Sequence, residues 1–373
     1  MRILEVILAP IEGGAHTLVD SLVRQWRSQG HDVDVVALDP APTEIAAARS
    51  RELFGFDVPI VRSTRSLMHR PAIKQGARLL GLRRSVALGH YDVIHAHCMQ
   101  PNIYSRIASL WTDRFPPVVV TMHSPDSADY RANRSRIAER LLGERTSAVI
   151  AVSEETANDY RAMFPGAASK VVVIPNGIPR DVTPRTSFAP TPTRFVALSR
   201  IHPQKDIVTM VRGFDRFLER SGGAAALAIA GGFDDSSYEV EVRAAHRDLA
   251  CRDRIRFLGS RSDVVELLAT SDAFVHTARY EAHSVAILEA AAASLPIVSS
   301  DLPSVRSSVG TGAEFFAAGD PEGLANALQR VTQGWPERTQ RAKILAADVA
   351  SRYSMKACAA AHLAVLTQVA QAR

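Results

Sequence analysis

Short β-branched runs alternate with segments of helical period along nearly the whole chain, the signature of parallel α/β sheets. The first unit sets the pattern. Ile3 to Leu8 reads as a strand and Glu12-Gly13-Gly14 as a tight turn; Leu18, Leu22, Val23 and Trp26 then recur on one face of a helix that Gly30 ends. Val33 to Val36 starts the next strand, and Asp92–His95, Val118–Met122, Ala148–Val152 and Val171–Ile174 follow. Residues 179–193 are rich in Pro, Thr and Ser, lack an apolar period and read as a linker. Strands recur beyond it at Phe195–Leu198, Ala226–Ala230, Ile255–Leu258, Ala273–His276, Ile297–Ser299 and Glu314–Phe316. The expected organisation is a doubly wound domain over 1–178, a linker over 179–193 and a second doubly wound domain over 194–354. A final helix over 355–373 is able to pack on either half. Two such halves imply a central cleft, where ligands of these sheets bind.

Composition narrows the class without naming a chemistry. With 46% hydrophobic and 22% charged residues, the 373-residue chain is an ordinary globular protein rather than a disordered, collagen-like or coiled-coil one. Cys98, Cys251 and Cys358 lie far apart with no C-x-x-C spacing, which argues against disulfides and structural zinc and for a reducing cytoplasm. No apolar run is long enough to span a membrane. The opening MRILEVILAP carries Glu5 and no cleavage site, so it reads as a strand rather than a signal peptide. A net charge of +5 needs only one local patch, and without aromatic-basic interleaving it does not imply nucleic-acid binding. That patch is residues 58–90, where Arg62, Arg65, Arg70, Lys74, Arg78, Arg83 and Arg84 occur with no acid among them. It reads first as a solvated helical face. The other readings are weak contact of 62–84 with an anionic membrane, peripheral to its inner face, and a surface for an anionic or polyhydroxyl acceptor.

Candidate chemistry gathers where predicted strands end. Gly13-Gly14 serves equally as a plain turn or as a close backbone approach to phosphate. His95 and His97 alternate on a strand and face one side, but no third ligand is apparent nearby, so no metal is expected. His123 ends a strand and reads either as a loop histidine or as a group that positions a hydroxyl. Arg200 and Lys205 on one loop suit a diphosphate, or else form a solvated basic loop. Glu281 and Glu289 stand eight positions apart across a loop-to-helix junction near Ser284, whose free N–H groups could cradle a phosphate. Taken alone the two acids read as ordinary helix-end charges.

In order along the chain, these signals resemble the retaining glycosyltransferases of the GT-B fold, family-4 or group 1 type. Gly13-Gly14 with Gly30-His31-Asp32-Val33, Asp92 to His97, Thr121-Met122-His123, Ala151 to Glu154, Ile174 to Ile178, Arg200 with Lys205, and the Glu281/Glu289 pair carry the likeness over roughly residues 1–350. The resemblance implies two Rossmann-like halves and transfer of a sugar from a UDP- or GDP-sugar to a hydroxyl acceptor, without metal or cofactor. It implies that Arg200 and Lys205 neutralise the leaving diphosphate, that Glu289 holds the ribose and that Glu281 lies by the sugar. Gly13 and Gly14 would approach the diphosphate, His123 the sugar, and Gly231, Leu258 and Gly259 the base, with His283, Ser284 and Val285 completing the donor site. The last helix would cross onto the first domain, and Asp32-Val33-Asp34 would be a decoy for a metal motif. The chain departs from the family where it reads Glu281-Ala282-His283-Ser284 instead of E-G-F-G, and where Ser199 and Asp206 replace glycines. The alternatives are a sugar-nucleotide 2-epimerase and a non-catalytic nucleotide-sugar-binding protein.

Overall fold

The computed structural model describes residues 1–9, 13–39, 71–111, 115–124, 133–222, 224–233 and 235–372. They form two compact units, Met1–Gly177 with Met355–Arg373, and Ile178–Ser354. In the first, β1 (Arg2–Ile7), β2 (Asp32–Ala37), β3 (Val93–His97), β4 (Val118–Met122), β5 (Ala148–Ala151) and β6 (Val171–Val173) make one sheet in the order β2-β1-β3-β4-β5-β6. Every pairing is parallel. Its helices are α1 (Gly14–Ser28), α2 (Pro71–Gly89), α3 (Met99–Ser109), α4 (Asn133–Leu142), α5 (Glu154–Met163) and, from the far end of the chain, α13 (Met355–Gln371).

A parallel sheet is covered on both faces, so its strands read as continuous apolar runs. Ile3 and Ile7 of β1 face the layer of α1 and α13, while Leu4 and Val6 face the layer of α2, α3 and α5. On α1 the predicted stripe of Leu18, Leu22, Val23 and Trp26 is buried, each side chain contributing about 1.5–3 kcal/mol. Gly30, at φ +84°, turns the chain out of that helix, and His31 N–H closes on Trp26 O at 3.0 Å. The indole N–H of Trp26 donates to Ala359 O at 2.9 Å, which fastens α13 to α1.

The second unit holds β7 (Arg194–Leu198), β8 (Ala226–Ala230), β9 (Ile255–Gly259), β10 (Ala273–His276), β11 (Ile297–Ser300) and β12 (Ala313–Phe316), ordered β12-β11-β10-β7-β8-β9. Its pairings are also all parallel. One face carries α6 (Ile207–Ser221), α7 (Ser236–Arg247) and α11 (Pro321–Gln333). The other carries α8 (Val264–Thr270), α9 (Val285–Ala292), α10 (Pro303–Val309) and α12 (Trp335–Arg352). Each sheet reverses its winding once, between β1 and β3 in the first and between β7 and β10 in the second. Beyond the carboxyl ends of the strands, those two points are where doubly wound sheets bind ligands.

Residues 179–193 contain no helix or strand, and they pack against the second unit. Arg185 donates to Ser271 O and to Asp272 Oδ1, Trp335 Nε1 donates to Ala189 O at 2.8 Å, and Phe188 meets the Trp335 ring edge-on. A Pro-rich composition signals the lack of periodic hydrogen bonding, not the lack of packing. In the basic segment, Arg62, Arg65 and Arg70 lie outside the described residues. Lys74 and Arg78 of α2 both turn onto Asp39, and Arg83 lies over the Trp111 ring. The described part therefore presents less cationic surface than its residue count implies. Among the described residues no helix is long and apolar enough to cross a membrane.

Candidate active site

In the second unit the loops after β7 and β10 meet at the winding reversal. The Lys205 ammonium bonds the Glu281 carboxylate, and His276, the last residue of β10, places Nε2 3.5 Å from the same carboxylate. Both partners of the ion pair are largely buried. Burial pushes the Glu281 carboxyl up, but the Lys205 charge and His276 outweigh it and hold the group at about 2. Glu281 is therefore a fixed anion and not a proton donor at neutral pH. Burial lowers His276, and Lys205 adds to that against the pull of Glu281.

The Lys205 loop is held from below. Thr277 Oγ1 donates to Lys205 O at 2.8 Å and Arg279 N–H to Gln204 O at 2.8 Å. The departure at Asp206 has a physical account: its φ of +48° and ψ of +55° lie in the left-handed region that favours glycine. Asp206 tolerates it by capping α6, its carboxylate accepting from Thr209 N–H at 3.3 Å and Thr209 Oγ1 at 2.8 Å. Asp206 thus replaces the glycine's conformation rather than its openness.

The neighbouring loops pack backbone on backbone. Ser199 N–H donates to Ala230 O, Ile201 N–H to Gly232 O and Gly231 N–H to Gly259 O, all at 2.8–2.9 Å. Register slips between β8 and β9 so that Ala230 pairs with Gly259, leaving Leu258 as the bulged residue at the strand end. A Cβ at Gly231 would meet Ser199 O at 2.0 Å. Gly231→Ala is therefore expected to cost about 1–3 kcal/mol of stability. Chemical denaturation checks it; an unchanged midpoint would mean that the loop yields freely.

Glu289 has a cation of its own. It projects from α9, is buried, and accepts from Arg180 Nη1 at 2.6 Å. Burial raises its carboxyl despite Arg180, which sequence reasoning did not single out because 109 positions separate the two. Ser284 precedes α9 with no side-chain bond to its first turn. His283, buried against the Tyr353 ring at 5.0 Å, is lowered by burial to about 4 and is neutral at physiological pH. A shallow depression of about 670 Å³ along the edge strand β9 takes in Leu258 with Arg243, Arg247 and Arg256. None of the acidic candidates lines it.

In the first unit the polar residues break one apolar face of the sheet. Glu5 of β1 lies opposite His95 of β3, and His97 opposite Thr121 of β4. Glu5 Oε1 accepts from His95 Nδ1 at 2.9 Å and Oε2 from His97 Nε2 at 2.5 Å; His97 Nδ1 lies 3.0 Å from Nε2 of His123, just past β4. Burial pushes Glu5 up and the two imidazoles pull it down further, to about 2. His362 of α13 packs its ring 5.4 Å from His95. The expectation that no third ligand stands near the His95/His97 pair is therefore corrected: the Glu5 carboxylate is a third donor group beside them. The readable signal was an acid inside a strand buried on both faces. Ligand atoms of Glu5, His95 and His97 lie within 4.8 Å of one another, a donor set of a type that metals take. Here each carboxylate oxygen is already engaged by one imidazole. Gly13, at φ 153° and ψ 164°, precedes α1, and Gly14 opens it. Asp32 and Asp34 pair with Arg2, and Asp34 accepts from the Tyr91 hydroxyl as well.

Comparison with known proteins identifies this arrangement. A model of Glycosyltransferase Family 4 matches residues 12–182, and one of glycosyl transferases group 1 matches residues 181–345. A glycogen synthase of Mycobacterium tuberculosis is 25% identical over 94% of this chain and 89% of its own length. A phosphatidyl-myo-inositol mannosyltransferase of Mycolicibacterium smegmatis is 27% identical over 85% of this chain and 81% of its own. Among solved structures, Anabaena HepE in complex with UDP-glucose superposes with a TM-score of 0.80 at 19% identity, covering 100% of this chain and 99% of that one. The sucrose-phosphate synthase of Thermosynechococcus elongatus gives 0.78 at 16%, with full coverage of both chains. The two family models run consecutively across both sheets and overlie the loops just described, which sets the epimerase alternative aside: the chain belongs to the group 1, family-4 glycosyltransferases of GT-B fold.

Proposed function

We propose that the protein moves a sugar from a nucleotide-diphosphate sugar, a UDP- or GDP-sugar first, to a hydroxyl acceptor with retention of anomeric configuration. The observation that carries this reading is the buried Lys205–Glu281 pair at the winding reversal of the second sheet. Arg200 and Lys205 neutralise the leaving diphosphate, and the first-turn N–H groups of α9, from Val285 on, add to them. Glu289 accepts from the ribose hydroxyls in place of Arg180, and Gly231, Leu258 and Gly259 flank the base. HepE, whose crystals hold UDP-glucose, supports the donor class. Gly13 and Gly14 offer backbone to the diphosphate, and His123 meets the sugar.

In the transfer step the acceptor oxygen bonds to the anomeric carbon on the face from which the phosphate departs. The bond from that carbon to the phosphate oxygen breaks, and the acceptor proton passes to the departing oxygen. Negative charge grows there, so fixed positive charge stabilises the transition state more than the ground state. This scheme assigns no step to a metal. The acceptor is a hydroxyl of a small sugar, aminocyclitol, natural product or lipid. A membrane contact through 62–84 rests, among the described residues, on Arg84 with the exposed Leu80.

Titration calorimetry with UDP, GDP, ADP and TDP, on the native protein and on Lys205→Ala, tests the reading. One nucleotide is expected to bind the native protein and to lose measurable affinity for the variant. Binding that ignores Lys205, or no binding at all, would count against a diphosphate site here.

A further inference from the structure

We propose that Glu5 and His97 are positioning residues for His123: the hydrogen-bonded chain Glu5–His97–His123 fixes the tautomer of His123, leaving its Nδ1 as an acceptor for a hydroxyl of the transferred sugar. The inference rests on the transferase reading above and assigns that site two residues outside its expected set. A carboxylate only accepts, so the imidazole nitrogens at its two oxygens must carry the protons. His95 is thereby protonated at Nδ1 and His97 at Nε2, with distances of 2.9 and 2.5 Å. The free lone pair of a neutral His97 is then at Nδ1. That atom lies 3.0 Å from His123 Nε2, so His123 donates there and keeps its own lone pair at Nδ1.

The second branch closes consistently. His95 Nε2, left as an acceptor, accepts from the Thr121 hydroxyl at 2.7 Å. Glu5, His95, His97 and Thr121 are each at most 2% exposed, so water cannot substitute for a missing partner. Other titratable groups facing the chain are His362 from α13 and His16 from α1, both imidazoles. Burial lowers His97, His123 and His362, which keeps them neutral, as the tautomer assignment requires. The logic is that of a buried acid that orients an imidazole without taking its proton.

Long-range proton–nitrogen correlation spectra of the full-length protein read imidazole tautomers directly. The expected result is His123 and His97 protonated at Nε2 and His95 at Nδ1. Glu5→Gln offers one acceptor and one donor in place of two acceptors, so this pattern is expected to break. With it, kcat/KM is expected to fall about ten- to hundredfold, the loss carried by kcat. His97→Gln, whose amide can still donate to Glu5 and accept from His123, is expected to recover part of what His97→Leu loses; it carries the test if Glu5→Gln does not fold. A proton on His123 Nδ1 in the native spectrum overturns the proposal, as does Glu5→Gln with unchanged spectrum and kcat. Because the spectra need no donor, a native protein with the expected tautomers but no sugar transfer would overturn the transferase reading and the sugar contact, not the tautomer chain.

Discussion

Lys205→Ala is expected to lower turnover of the donor by about two to three orders of magnitude with the fold intact. The ammonium is bonded to a largely buried carboxylate and stands where the second sheet reverses its winding. Removing it takes away the charge that would balance the departing diphosphate and leaves Glu281 as an added anion beside it. The loss should therefore exceed that of one neutral hydrogen bond, and Lys205→Arg should recover part of it, since a guanidinium restores charge but not the compact point donor. Release of nucleoside diphosphate from saturating donor measures kcat, and thermal melting confirms the fold. A variant within a few-fold of native kcat would remove Lys205 from the chemistry.

The same pair predicts a pH signature. Glu281 is depressed in the folded protein, from an ordinary 4.5 to about 2. A depressed carboxylate contributes stability above its unfolded value, and that contribution is lost as pH falls through the window from 4.5 to about 2. Lys205→Ala removes the largest lowering influence, so its acid-side loss of stability over that window should be shallower than that of the native protein. Equal slopes for both in acid denaturation would show that the pair is not coupled.

How far this was readable from sequence follows from how local each feature is. Strands of parallel sheets are buried on both faces, so Val118–Met122, Ala226–Ala230 and Ala273–His276 stand out as apolar runs bounded by turn residues. Lys205 and Glu281 were legible because each ends a strand unit with a recognisable order of residue types. Their mutual pairing was not, being set by two strands that lie adjacent only in the sheet. The same holds for Glu5 and His95, 90 positions apart yet in register, and for Arg180 and Glu289. Asp206 shows the reverse case. The family glycine is missing there, yet the left-handed backbone is kept and the carboxylate is spent on capping α6.

Glu139→Ala is expected to destabilise the first unit by about 3–5 kcal/mol. Arg106 of α3 and Glu139 of α4 are fully buried and bonded through both guanidinium Nη atoms, each at 2.5 Å. Tyr160 of α5 donates its hydroxyl to Glu139 at 2.7 Å, and Arg106 also reaches Thr146 Oγ1 at 3.0 Å. Truncating Glu139 takes the bidentate carboxylate away from a buried guanidinium that cannot lose its proton, and the desolvation of that charge dominates over the lost attraction. The effect should stay within one unit, because each has its own core clusters. Hydrogen exchange should accelerate in α3, α4, α5 and β3 to β5 while β7 to β12 keep native protection. Since α3 begins two residues after His97, the loosened helix should also blur the tautomer signature of His123. The double variant Arg106→Met with Glu139→Leu removes both charges and should recover most of the stability. If the single variant were as stable as the double, the pair would be carrying no uncompensated charge, and the first unit's helical layer would owe its order to apolar packing alone.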